Sequence, residues 1–129
     1  MMSFNRRIRI ATATVISLLL VTGASLAHHS AAAYDVETTI EVTGVVKTFR
    51  WKNPHTLVAL LVTDEDGAEV IWNFEGNGAS NLVAAGWKRS MLVVGETATI
   101  IANPLKSGKP GGRLQGIALA DGTIVGDKY

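Results

Sequence analysis

The chain has 129 residues, enough for one domain, with 12 Lys+Arg against 11 Asp+Glu and no cysteine. The missing cysteines exclude disulfides, iron–sulfur clusters and thiol catalysis. A domain of ~100 residues buries a working core without such staples.

The basic residues are unevenly placed. Arg6, Arg7 and Arg9 precede an apolar run from Ile10 to about Val21, and Gly23-Ala24-Ser25-Leu26-Ala27 then supplies small residues at the −3 and −1 positions of a cut after Ala27. A basic start, a short apolar stretch and a small-residue cleavage site read as a secretory signal peptide. The run is shorter than the ~20 residues of a membrane-spanning helix. Residues 1–27 are therefore expected to be removed on export to the periplasm, leaving no membrane span. The remainder is mildly acidic, with nine basic against eleven acidic side chains, which gives little electrostatic reason to hold nucleic acid.

Residues 28–37, beginning His28-His29-Ser30, are small and polar and read as an extended arm. The rest, 38–129, reads as a barrel domain. Thr38 to Phe49 is the first strand, with Ile40, Val42 and Val46 on one parity. Gly44 inside it signals a bulge or a tight bend. Asn53-Pro54 breaks the run, because proline removes a donor and biases its predecessor toward extended geometry. His55 to Val62 is apolar on both parities, the pattern of a strand covered on both faces.

Asp64-Glu65-Asp66-Gly67 reads as a hairpin turn; it lacks the ligand spacing of a calcium loop. Ala68 to Phe74 is the third strand, ended by Glu75-Gly76-Asn77-Gly78. A short helix follows over Ala79 to Ala85, capped by Ser80 or Asn77 and closed by Gly86, with Trp87 packing its end. Glu96 to Ala102 is the fourth strand, broken by Asn103-Pro104. Lys106 to Gly112 reads as a mobile glycine-rich loop. Arg113 to Ala120 is the fifth strand, and Thr123 to Val125 a short return after the Asp121-Gly122 turn. Three strands, a helix and two strands is the order of an OB-fold, so the expected class is mainly β: a small five-stranded OB-fold-like barrel with one short helix between strands 3 and 4.

Ala27-His28-His29-Ser30, Val42-Thr43-Gly44-Val45-Val46, Trp51-Lys52-Asn53-Pro54-His55, Gly86-Trp87 and Asn103-Pro104-Leu105 together resemble a domain-of-unknown-function family of small exported proteins from Gram-negative bacteria. The resemblance covers nearly all of the chain after residue 27. It implies periplasmic placement and a small β-barrel, and it carries no catalytic residues over.

Two constellations carry chemistry. A cut after Ala27 makes His28 the first residue, offering an α-amine and an imidazole. With His29 and His55 it forms a nitrogen set suited to Cu(II), since histidine is the commonest metal ligand. Against this, His28 and His29 also read as a plain soluble start, and His55 as a loop histidine. The second constellation is a ligand face made from Trp51, Trp72, Phe74 and Trp87 with Arg50, Lys52 and Asn53 at its rim. Most of these aromatics equally suit the core, and Trp51, in a turn, is the one expected to be exposed. Enzyme signatures are missing: there is no Gly-x-Ser-x-Gly elbow, no His-Glu-x-x-His, and the glycine-rich loop opens no helix. The expected function is thus a binding or accessory domain for a small ligand or a periplasmic protein, with copper binding at His28, His29 and His55 as the alternative.

Overall fold

The computed structural model describes residues 32–126. Six strands and one helix follow in order: β1 Ile40–Arg50, β2 His55–Thr63, β3 Glu69–Asn77, α1 Ala79–Ala84, β4 Thr97–Pro104, β5 Gly111–Ala118 and β6 Ile124–Gly126, with one 3₁₀ turn at Arg89–Met91. The sheet order is β3-β2-β1-β4-β5-β6, and a further pairing of β3 with β5 closes the first five strands into a barrel. This is the expected OB-like barrel, with its helix between β3 and β4; β6 extends it beyond β5. Every pairing is antiparallel except the closing one, which is parallel and three residue pairs long: Asn73 with Gly111, Phe74 with Gly112 and Glu75 with Arg113.

The core is built from Val42 and Val46 of β1, Val58 and Leu60 of β2, Phe74 of β3, Leu82 of α1, Ile100 and Ala102 of β4, and Leu114 and Ile117 of β5, closed by Trp87 and Leu92. Trp87 is placed as expected. α1 ends with Gly86 at φ 90, Trp87 N–H donating to the Leu82 carbonyl at 2.9 Å and Gly86 N–H to that of Val83 at 3.0 Å. This paired closure satisfies carbonyls at the helix end and turns the Trp87 indole into the core.

Several boundaries differ from the sequence reading. β3 does not stop at Phe74 but runs through Glu75, Gly76 and Asn77. Gly76 is a strand residue because the Leu114 side chain packs against it: a Cβ there would lie 2.8 Å from a Leu114 methyl. Asn103 and Pro104 likewise continue β4 rather than break it. Asn103 is buried, its amide donating to the Thr38 carbonyl at 2.8 Å and its oxygen accepting from Gln115 at 2.7 Å. Gly111 and Gly112 belong to β5, not to the preceding loop, because each presses against a carbonyl oxygen: a Cβ on either would sit 2.5 Å from Asn73 O or Asn103 O.

The irregularity in β1 is displaced as well. The register against β2 slips between Val46 and Thr48, so Lys47 is the extra residue, not Gly44. Gly44 lies where β1 passes from pairing with β4 to pairing with β2, and its bare Cα admits the Leu61 carbonyl, 2.6 Å from the position of a Cβ. The cap of α1 also has a different source. Gly78 is the N-cap and has no side chain to offer. Asn53, from the β1–β2 loop, substitutes for it. The Asn53 side-chain oxygen accepts from Ser80 N–H at 3.2 Å, and its amide donates to Ser80 Oγ at 2.9 Å.

Candidate functional site

The bulge at Lys47 decides what the outer face carries. Before it, Val42 and Val46 point into the core; after it, residues of the same parity, Thr48 and Arg50, point outward. An extra residue in one strand re-aims the side chains beyond it. Register then sets two parallel rows across the sheet. One runs Arg50, Leu57, Glu75, Arg113; the other Thr48, Ala59, Asn73, Gly111. Adjacent strands lie ~4.8 Å apart, so Arg50 and Glu75 stand on backbones ~10 Å apart with Leu57 between them.

These rows form the floor of a groove of about 500 Å³, lined by Tyr34, Thr48, Arg50, Leu57, Ala59, Asn73, Glu75, Leu105 and Gly112. The β2 strand is therefore not covered on both faces as its apolar pattern implied. Thr56, Val58 and Leu60 are fully buried, while Leu57 and Ala59 are half-buried in the groove floor. The far wall comes from two segments that support one another. Tyr34 pairs with Leu105 in an isolated bridge, and Asp35 N–H donates to the Pro104 carbonyl at 2.9 Å. Asp35 then folds its own turn, accepting from Glu37 N–H at 3.2 Å and Thr38 Oγ1 at 2.7 Å. The end of the arm, read from sequence as extended, is thus tied down, with Asn103 holding Thr38 from below.

Glu75 is the hub of the polar end. Its carboxylate lies 3.0 Å from His55 Nδ1 and is near enough to the Tyr34 hydroxyl to affect its ionisation. Burial, then the proximity of the Glu75 carboxylate, raise the Tyr34 pKa above its ordinary value of 10, with Arg113 opposing. Both His55 and Glu75 keep substantial exposure, 59% and 44% of their side chains. Holding Nδ1 on a carboxylate leaves the His55 Nε2 free to face solvent. Arg50, across the floor, is exposed and has no ion pair or hydrogen bond from its guanidinium among the described residues.

The sequence-derived ligand face divides. Arg50 lines the groove. Trp51 is not exposed: it is half-buried, edge-on to Phe49 with ring centres 5.6 Å apart, and packed against the core. Trp72 is half-buried and stacks on the core residue Phe74 at 6.2 Å. Asn53 is committed to α1. These aromatics answer to the inside of the barrel because the core is short of large side chains. Glu75, Asn73 and Tyr34, by contrast, had no place in that expected ligand face. Glu75 sat in what read as a turn, and Tyr34 in what read as a loose arm. The Leu57/Ala59 parity of β2, apolar but not needed for the core, was the signal that an outer face was in use. For the metal reading, His28 and His29 lie outside the described residues, and among those described no three His, Asp or Glu side chains gather into one cluster. Among the same residues no helix is long and apolar enough to cross a membrane.

No curated protein and no solved structure matches the chain. Residues 15–115 match the model of DUF6152, a family of unknown function, and the chain belongs to that family.

Proposed function

We propose that the protein is an exported, periplasmic binding or accessory domain whose outer barrel face takes a small ligand or a segment of a partner. The observation that carries this reading is the groove over β1, β2 and β3: a volume of about 500 Å³ with an aliphatic floor and a few polar groups at its ends. Small-molecule sites have this size and composition, ~300–1,000 Å³ with sparse, placed polar groups. The location also supports it, because OB-fold barrels bind across the face of strands 2 and 3, between the β1–β2 and β4–β5 loops. A nucleic-acid ligand is disfavoured. The tryptophans that would stack bases pack against the core instead, and single-stranded ligands depend on such stacking.

The test is a fragment screen on isotope-labelled protein read by amide chemical shifts. Binders are expected to move the amides of Arg50, Leu57, Ala59 and Asn73. Ala59→Phe fills the groove from an outward position, so it is expected to abolish those shifts and leave the melting temperature nearly unchanged. Shifts that cluster elsewhere on the barrel, or binding unaffected by Ala59→Phe, would refute the reading.

Copper is the second reading, favoured by one observation. A histidine that binds a metal commonly has its other ring nitrogen held by a carboxylate, and Glu75 holds His55 in this way. His28 and His29 supply further nitrogens from the sequence. Native mass spectrometry of the exported protein with one equivalent of Cu(II) reads the start of the mature chain and the metal load together. Retention of one copper, lost in His55→Ala and in His28→Ala, supports this reading; a start beyond His29 removes it.

A further inference from the structure

We infer that the groove selects a small aliphatic carboxylate: an acid group held by Arg50 and a hydrocarbon body lying over Leu57 and Ala59 toward Leu105. This rests on the groove being the ligand site and names the chemistry that it recognises.

The argument begins with charge. Among the described residues that line the groove Arg50 is the cation, Arg113 standing at the other end of its row beside Glu75, and the Arg50 guanidinium has no carboxylate or carbonyl partner among those residues. The groove carboxylate, Glu75, is in the opposite condition. It lies 3.0 Å from His55 Nδ1, stands near the Tyr34 hydroxyl, and has Arg113 beside it in register on β5. The cationic end therefore has donors to spare, while much of the acceptor capacity at the acidic end is taken. An unpaired guanidinium offers five N–H donors in a planar fork that matches a carboxylate. Glu75 repels a carboxylate bound there only weakly, because the backbones that carry the two residues are ~10 Å apart across two strand spacings, about one Debye length at ~0.1 M salt.

The body of the ligand follows from the floor. Between the charged ends lie Leu57 and Ala59, and beyond them Leu105 and the buried Gly112. Ala59, between Thr48 and Asn73 in its row, is smaller than either and leaves depth there. Thr48 and Asn73 border the floor with short polar groups. Tyr34 and Phe74 are the aromatic members of the lining, and Leu57, Ala59 and Leu105 give a flexible alkyl chain aliphatic contacts along its length. The Lys47 bulge is what brings the cation to this floor: without it, Arg50 would share the inward parity of Val42 and Val46.

The experiment compares three probes with one hydrocarbon body, hexanoate, hexanol and hexylammonium, titrated at equal ionic strength and read at the amides of Leu57, Ala59 and Asn73. Hexanoate is expected to bind about tenfold or more tightly than either companion, the worth of a hydrogen-bonded charge at a partly buried site. Arg50→Gln is expected to remove that advantage and leave the fold intact, because Arg50 is exposed. Equal or tighter binding of hexylammonium or hexanol, or an unchanged hexanoate affinity in Arg50→Gln, overturns the carboxylate inference while leaving the groove as a ligand site. Failure of all three probes to move any groove amide overturns the inference and takes the groove reading with it.

Discussion

Replacing Gly111 by alanine strikes the seam that closes the barrel. A Cβ on Gly111 would lie 2.5 Å from the Asn73 carbonyl oxygen, against 3.4 Å or more in an ordinary contact, so β5 and β3 must part locally by about 0.9 Å. The seam is only three residue pairs long. A hydrogen bond near 2.9 Å stretched by that amount is no longer one, so the substitution removes one or two of the bonds that join β3 to β5. At a net ~0.5–1.5 kcal/mol each, with some strain relieved by backbone movement, the expected loss is ~1–3 kcal/mol. For a domain of this size, 1 kcal/mol corresponds to ~4–8 °C, so the melting temperature should fall by ~5–20 °C. Gly67→Asn is the control. Gly67 has φ 80 in the hairpin turn and nothing near its absent Cβ, and asparagine tolerates that conformation. Calorimetry gives the melting temperatures, and hydrogen exchange at Asn73, Phe74 and Glu75 shows whether the loss is at the seam. A Gly111→Ala protein that melts within 2 °C or so of wild type would show that the close approach of Asn73 carries no energetic weight.

Three further outcomes follow from the geometry. Asn53→Ala should cost ~0.5–2 kcal/mol, the range for a lost helix cap, seen as a lower melting temperature with faster exchange at Ser80 N–H; Asn53→Asp should retain most of the stability. Asn103→Leu removes the partner of both the Thr38 carbonyl and the Gln115 amide. It should cost ~1–3 kcal/mol and release the Tyr34 segment, read as loss of the Tyr34–Leu105 bridge by amide exchange. Tyr34 should ionise above the ordinary tyrosine value, because burial and Glu75 both favour its neutral form. The folded state therefore holds this proton more tightly than the unfolded one. The stability it contributes is fully present below pH 10 and is lost as pH rises through the raised value. Ultraviolet titration of wild type against Tyr34→Phe isolates this group, and an ionisation at or below the ordinary value would contradict the burial and Glu75 contact described above.

The strands and their order were legible because alternation and turn chemistry are local. Asp64-Glu65-Asp66-Gly67 closes a hairpin as its residues predict, Asp64 accepting from Asp66 and Ala68 N–H at 3.0 and 2.8 Å. Gly86 ends α1 for the same kind of reason. What sequence could not show was where glycine and proline stand for packing rather than for turning. Gly76, Gly111 and Gly112 sit in strands because another strand crosses tightly over them, and that depends on residues up to about forty positions away. The site suffered from the same blindness. Arg50 was identified from its place near the Asn53-Pro54 turn, yet its outward aim depends on a bulge at Lys47 that leaves no mark in composition. Glu75 became visible only once Gly76 was seen to continue the strand.

The parallel seam has a consequence for the order in which this molecule assembles. The hairpins β1–β2 and β2–β3 join near neighbours in the chain, whereas Asn73 and Gly111 must meet across the whole of α1 and β4. Contacts between distant residues pay their loop-closure entropy before they return anything, so the seam is expected to form late. Leu57, Ala59 and Glu75 can be aligned by the early hairpins, but Leu105 and Gly112 reach the groove only when the barrel shuts. A molecule resting in the groove touches both sides of that closure. It would then act as a clasp on the last joint to form, slowing the first step of unfolding more than it hastens folding.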